Sequence, residues 1–116
     1  MWRDEAYLLD MLLAARKALE FARDLSWEQF AANDMVQYAI MHLVQTIGEA
    51  ARKVSPEFKA DHPEIPWPAI IGMRHRLVHE YFRIIPKEVW QVVEKDLPAL
   101  IPALEPLIPP EEPSGQ

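Results

Sequence analysis

The sequence lacks cysteine altogether, and this absence removes several kinds of chemistry at once. A chain without cysteine forms no disulfide, has no thiolate nucleophile and offers no Cys-type zinc site. Glycine is also scarce: there are only three, and they form no Gly-rich loop of the kind that cradles phosphates. The sequence therefore predicts neither thiol chemistry nor a loop-based nucleotide site.

Long apolar runs and an export signal are missing as well. No apolar run approaches the roughly 18 residues that a membrane helix requires. The N-terminal residues MWRDEAYLLD lack the basic region and the small-residue cleavage site of a signal peptide. We therefore expect no membrane association and a cytoplasmic location. At 116 residues, half of them hydrophobic, the chain has the size and composition of one soluble globular domain.

Basic residues do not dominate the chain, but they are concentrated in one segment. The net charge of −6 argues against a general nucleic-acid coat, because phosphate binding requires a positive surface. Residues 74–87 nevertheless carry a local charge of +3, which leaves −9 for the remainder of the chain. The charged residues of this segment are Arg74, Arg76, Glu80, Arg83 and Lys87. One basic island in an acidic protein favours a focused anion site.

The first half of the chain lacks proline, since all eleven prolines follow Ser55. Proline is the strongest helix breaker, and apolar residues here recur at spacings of three and four. We therefore predict one long helix over residues 3–24 and a second from an Asn33 cap to about Val54. Between them, the SWEQ segment at residues 26–29 fits a capping box and predicts a short helical turn.

Two features of the second predicted helix bear on its surroundings. Gly48 costs about 1 kcal/mol in a helix interior relative to alanine, so we expect a neighbouring helix to approach closely there. A polar stripe also runs along one face at helical spacing. Its members are Tyr38, His42, Gln45, Glu49 and Arg52. Such a stripe is either a solvated face or the lining of a cleft.

The second half of the chain is divided by its prolines. Residues 55–68 form a predicted connector, a third helix is expected over residues 68–81, and a fourth begins at Pro86. Three prolines spaced four apart should kink or break this last helix. They are Pro98, Pro102 and Pro106. The predicted fold class is all-α, an antiparallel bundle of four main helices with short helical turns.

Residues 73–82, MRHRLVHEYF, carry the groups best suited to phosphate chemistry. Cleavage of RNA without a metal needs a base for the 2′-hydroxyl, a cation for the phosphorane charge and an acid for the leaving 5′-oxygen. Histidine titrates near neutrality and can act as base or acid. Arginine offers a planar fork that matches phosphate oxygens. Two histidines and two arginines in this segment make it the candidate site.

Helix geometry complicates the assembly of that site. At about 100° per residue, Arg74 and Tyr81 lie within about 20° of each other beside the apolar face, whereas His79 lies about 140° from Arg74. Either the helix ends near His79 and the chain turns, or a second copy completes the site. His75 and His79 also have the spacing of a helical metal pair. No glutamate lies between them in an H-E-x-x-H arrangement, so we predict no metal site.

The order Arg74-x4-His79-x-Tyr81 resembles the R-x4-H-x-Y motif of HepT-like HEPN toxins. The segments IGEAARKVS, IPW and VW…DLP are similar to other recurring segments of that family. The resemblance covers residues 3–108. It implies a HEPN-type helical domain over residues 1–108, and we expect residues 109–116 to form a disordered tail.

This resemblance implies the toxin of a toxin–antitoxin pair: a metal-independent endoribonuclease that acts as a homodimer, with two motifs across a shared cleft and no cofactor. Arg74 would bind the scissile phosphate, and His79 would be the principal acid and base. Tyr81 would be modified with AMP by a nucleotidyltransferase antitoxin of the MNT type. The added bulk and negative charge would exclude RNA.

Supporting roles are assigned to His75, Arg76 and Arg83. The family commonly has asparagine after the motif arginine, so His75 is a departure that either retains a hydrogen bond or adds a second titrating group. Arg76 and Arg83 are candidates for RNA backbone contacts. Arg74 is also a candidate partner for Glu49 of the polar stripe. The alternative function is a non-catalytic helical module that binds a nucleotidyltransferase partner.

Overall fold

A computed structural model describes residues 2–79 and 83–109, and helices account for most of them. The helices are α1 Trp2–Ala22, α2 Trp27–Ala31, α3 Asp34–Lys53, α4 Pro56–Asp61, α5 Trp67–Ile71, α6 Met73–Leu77, α7 Pro86–Gln91 and α8 Leu97–Leu104, with a π turn at Val92–Asp96 and a 3-10 turn at Glu105–Leu107. Strands β1 Val78–His79 and β2 Arg83–Ile84 form a short hairpin. The all-α prediction is confirmed. The predicted tail lies outside the described residues, apart from Pro109.

Local capping explains where the first helices begin. The Ser26 hydroxyl accepts a hydrogen bond from the Gln29 amide at 3.1 Å, and the Gln29 side chain accepts one from the Ser26 amide at 2.9 Å. This is the predicted capping box, and it starts α2. The Asn33 side chain accepts from the Val36 amide at 3.1 Å and caps α3, as predicted.

Helices α1 and α3 pack side by side in opposite directions. Buried Asp4, in the first turn of α1, accepts hydrogen bonds from the Ser55 amide at 2.9 Å and from the Ser55 hydroxyl at 2.7 Å. Because Ser55 lies just beyond the end of α3, the start of one helix meets the end of the other. The fully buried side chains of this pair include Leu8, Met11, Ile40 and Ile47. No helix among the described residues is long and apolar enough to cross a membrane.

Gly48 lies where α5 crosses α3. A Cβ atom added at Gly48 would lie 3.5 Å from the carbonyl oxygens of both Ile70 and Ile71. The backbone of a neighbouring helix thus comes into van der Waals contact at this glycine, and the predicted close approach is confirmed. This crossing brings the beginning of α6 against the polar stripe of α3.

The predicted third helix over residues 68–81 is wrong in its extent. It is divided at Gly72 into α5 and α6, and it ends at Leu77 because Val78 adopts an extended conformation. The Leu77 carbonyl then accepts a hydrogen bond from the Ile85 amide at 2.9 Å, which closes the base of the hairpin. Strands were not predicted here. The β-branched Val78 and Ile84, which pair across the hairpin, suit an extended backbone better than a helix.

The irregularity predicted for the fourth helix is a π turn between α7 and α8. Pro98 has no amide hydrogen, and in a regular helix its ring would clash with the carbonyl four residues earlier. Widening the preceding turn avoids that clash, and the Leu97 amide donates to the Val92 carbonyl across it. Arg16 of α1 pairs with Glu105 at 2.7 Å, while Trp90 of α7 packs beside the α1–α2 connection. The fourth helix therefore runs antiparallel to α1.

Candidate active site

Arg74 projects from α6 toward the polar stripe of α3. Its neighbours Met73 and Leu77 are buried and anchor α6, whereas Arg74 itself is half-buried. It lines two adjacent cavities. The first, of about 190 Å³, is lined by Val44, Gln45, Gly48, Glu49, Arg52, Ile71, Arg74 and His75. The second, of about 200 Å³, is lined by Tyr38, Met41, His42, Gln45, Arg74, Val78 and Ile84.

These cavities decide between the two interpretations of the α3 stripe. All five of its members are exposed and line one cavity or the other, so the stripe is the solvent-facing wall of an open cleft. The first cavity is lined by the basic residues Arg52, Arg74 and His75 and by Glu49, whose carboxylate pairs with Arg52 at 3.1 Å. The excess of basic groups suits an anion. Arg74 and Glu49, proposed as partners, share this cavity.

His79 lies on the short hairpin, directly opposite Arg83. Side chains in such a pair leave the same face of the ladder, with Cβ atoms about 4.5–5.5 Å apart. Both residues are exposed. The hairpin therefore presents an imidazole and a guanidinium side by side to solvent.

The two motif residues consequently occupy different faces of the hairpin region. Val78 and Ile84 line the second cavity with Arg74, and successive strand residues point to opposite faces. His79 thus points away from that cavity, and it lines neither of the two that Arg74 lines. The sequence required either that the helix end near His79 or that a second copy complete the site, and the helix does end before His79. The change of chain direction after the helix does not by itself bring His79 into the cavities that Arg74 lines.

The remaining predicted site residues are distributed unevenly around this centre. His75 is exposed and shares the first cavity with Arg74. Arg76 is directed elsewhere, because its guanidinium pairs with Glu88 at 3.5 Å and also with Asp96. Tyr81 lies outside the described residues. Within the described part of the chain, no group of three or more His, Asp or Glu side chains is placed to hold a metal ion.

Comparison with known proteins identifies the family. The family described as "Ribonuclease HepT-like" matches residues 11–107. The chain belongs to the HepT-like ribonuclease family. The resemblance inferred from the Arg74-x4-His79-x-Tyr81 motif is thereby confirmed.

Several relatives of this HepT-like chain are similar over most of their length. A Thermococcus cleftensis protein named "Probable ribonuclease HepT" is 36% identical over 81% of this chain and 86% of its own. A Methanocaldococcus jannaschii protein named "Putative RNase" is 34% identical over 83% of this chain and 88% of its own. A similarly named protein of Caldanaerobacter subterraneus is 32% identical over 81% and 84%. No solved structure gives a significant match.

Sequence reasoning grouped the polar α3 residues that share the cavities with Arg74 into one stripe but, apart from pairing Glu49 with Arg74, assigned them no role in the site. Tyr38 is 58% exposed, and His42 and Gln45 are exposed beside it. Their three- and four-residue spacing placed them on one helical face, but a solvated face has the same spacing. Only the packing of α6 and the hairpin against α3 distinguishes a cavity wall from open surface.

Proposed function

We propose that this HepT-like protein is a metal-independent endoribonuclease that serves as the toxin of a toxin–antitoxin pair. Membership of the family supports the reaction class. The observation that carries the proposal is the placement of Arg74 in a basic cavity on α3, with the exposed His79–Arg83 pair immediately after it on the hairpin. These residues supply the cation and the titrating group that phosphodiester cleavage requires.

In the proposed reaction, the neutral His79 imidazole removes the proton of the RNA 2′-hydroxyl. The 2′-oxygen attacks the adjacent phosphorus, and the guanidinium of Arg74 stabilises the charge that develops on the phosphoryl oxygens. The bond from phosphorus to the 5′-oxygen then breaks, and that oxygen takes a proton from the imidazolium of His79 that the first step formed. The products are a 2′,3′-cyclic phosphate and a 5′-hydroxyl end.

The proposed active site is shared by two copies of the chain. Within one chain, Arg74 and His79 are directed to different faces, and a two-fold interface would bring His79 of one copy toward Arg74 of the other. Mixing Arg74→Ala and His79→Ala proteins tests this arrangement. Random exchange of subunits should restore about a quarter of wild-type activity, because half of the dimers would contain one intact site. A site built within one chain would stay inactive in every mixture.

The RNase proposal is tested by incubating the purified protein with RNA in EDTA. Wild type should cleave, and His79→Ala should lower the rate about 10²–10⁴-fold, as expected for loss of a general acid–base group. His62→Ala is the matched control, because His62 pairs with Glu64 on the α4–α5 connection. Activity that requires added metal would contradict the metal-independent mechanism. Intact RNA alongside a stable nucleotidyltransferase complex would favour the interaction module instead.

We also propose that a nucleotidyltransferase antitoxin of the MNT type silences the protein by transferring AMP to Tyr81. In the sequence, Tyr81 lies between His79 and Arg83, so an added phosphate would compete with RNA for the same basic island. Co-expression with such an enzyme should yield a protein that carries AMP on residue 81 by mass spectrometry and no longer cleaves RNA. Tyr81→Phe should remain unmodified, and labelling of that variant would contradict the assignment.

A further inference from the structure

Tyr38 is an unusually exposed aromatic residue for a helix that forms half of the central pair. It lies on the side of α3 away from the buried Ile40 and Val44, and 58% of its surface is accessible. Tyr38 lines the second cavity together with Arg74. An aromatic ring and a candidate phosphate-binding guanidinium are therefore in one small depression.

The other walls of this cavity suit a flat heteroaromatic group. Gln45 offers both a hydrogen-bond donor and an acceptor, His42 adds a ring nitrogen, and Met41, Val78 and Ile84 supply apolar contacts. Pockets that enclose a whole small ligand measure about 300–1,000 Å³. The volume here, about 200 Å³, is smaller and fits one planar group better than a complete nucleotide.

We propose that Tyr38 stacks on a base of single-stranded RNA next to the phosphate that Arg74 binds, with Gln45 hydrogen-bonding the edge of that base. Proteins that bind single-stranded RNA stack unpaired bases on aromatic side chains and hydrogen-bond their edges. The assignment rests on the proposed RNase function and adds a binding subsite to it.

A protein surface is the other possible occupant of this patch, since Met35 lies one turn before Tyr38 and is 81% exposed. Interface centres are depleted of charged residues, however. Tyr38 shares its cavity with His42, Gln45 and Arg74, which are polar or charged, as well as with the apolar residues named above. The proposed cleft lies between two copies of the chain, and this composition favours an RNA base, rather than the surface of the partner, as the group that covers Tyr38.

Equilibrium binding of a single-stranded RNA oligonucleotide to the His79→Ala protein tests the subsite without cleavage. Tyr38→Ala should weaken binding about 5- to 150-fold, the range measured for loss of one aromatic–base stack, and Tyr38→Phe should preserve it. Phe21→Ala is the matched control, because Phe21 is an exposed aromatic residue of α1 outside both Arg74 cavities, and it should leave affinity unchanged. Light scattering should give the same mass for all variants. A Tyr38→Ala protein of lower mass would assign the patch to a subunit interface and overturn the proposal.

An abasic nucleotide placed beside the mapped cleavage site gives the decisive comparison. Removing the base should weaken the binding of RNA to the protein that retains Tyr38. It should have little further effect on the affinity of the Tyr38→Ala protein, since both changes remove the same stack. If the abasic substitution and Tyr38→Ala each lowered the affinity by a factor that did not depend on the other change, the subsite would be overturned. Failure of wild type to cleave any RNA would instead overturn the RNase function on which the subsite rests. Normal cleavage with unchanged Tyr38→Ala affinity would overturn the subsite alone.

Discussion

Two regions of the molecule differ in the solvent exposure of their polar side chains. In the packed unit of α1, α2 and α3, Asp4 and Gln37 are about 95% buried and hydrogen-bonded at opposite ends, Asp4 to Ser55 and Gln37 to the Phe30 and Ala31 carbonyls. We call this the sealed region. Arg74, His79 and Arg83 form what we call the open region: Arg74 lines solvent-facing cavities, and His79 and Arg83 are exposed. Polar groups in the sealed region hold helices together, whereas those of the open region are left accessible to a ligand.

The largest effect on stability is expected from Phe30→Ala in the sealed region. The Phe30 ring is fully buried, lies 5.0 Å from the Trp90 ring and joins α2 to α7. Truncation of such a ring costs about 3–5 kcal/mol of unfolding free energy, measured by urea denaturation. RNA cleavage per folded molecule should be unchanged. A Phe30→Ala protein with the wild-type urea denaturation midpoint but impaired RNA cleavage would contradict the division between the two regions.

Asp4→Ala should have the next largest effect. It removes the acceptor of two hydrogen bonds and leaves the partly buried Ser55 amide without that acceptor, which costs about 1–3 kcal/mol. Asp10→Ala, at an exposed position of the same helix, is the control and should stay within about 0.5 kcal/mol of wild type. Equal losses from the two variants in thermal unfolding would show that burial of Asp4 contributes nothing.

Two exposed arginines should differ in their effect on RNA binding. Arg83→Ala removes a cation beside His79 and should reduce the slope of log affinity against log salt by about one. Arg76→Ala breaks the pairs with Glu88 and Asp96, so it should cost up to about 1 kcal/mol of stability and leave the salt slope unchanged. Identical salt slopes for both variants would contradict this assignment.

The smallest effect is expected from Glu64→Gln at the α4–α5 connection. The pKa of Glu64 is lowered by a hydrogen bond from its own backbone and by the His62 side chain. A carboxylate with a lowered pKa stabilises the folded state above its unfolded pKa, and this contribution disappears as the pH falls through the folded pKa. Glu64→Gln should therefore lower the melting temperature slightly at neutral pH and not in acid. If the melting temperatures of wild type and Glu64→Gln differed more in acid than at neutral pH, the lowered pKa of Glu64 would be contradicted.

Much of the helical frame could be predicted because its causes are local. Ser26 and Asn33 cap helices through neighbours three residues away, and Gly48 reports a close backbone approach. The end of α6 could not be predicted in the same way. The apolar spacing continues from Leu77 into Val78, and the hydrogen bond between Ile85 and Leu77 that fixes the hairpin forms only after the chain has turned. Burial of Asp4 likewise depends on Ser55, 51 residues away.

The candidate site was predictable as a set of residues but not as an arrangement. Composition and motif single out Arg74 and His79. The angle predicted between them assumed a helix that continued through residue 81, whereas their separation in the structure comes from the turn into the hairpin. The α3 wall required tertiary packing, because Tyr38, His42 and Gln45 follow a spacing that an exposed face also has. Which side of the hairpin carries His79 depends on the pairing of Val78 with Ile84, and short strands give little periodic signal.

The two faces of α3 give the protein a route to new specificity. Substitutions at Ile40, Val44 or Ile47 alter the core, where a lost methyl group is felt in stability. Positions 38, 42, 45, 49 and 52 alternate with them on the same helix and line the cavities instead. Natural variation or laboratory evolution at these outer positions can therefore change ligand preference with little effect on the free energy of unfolding.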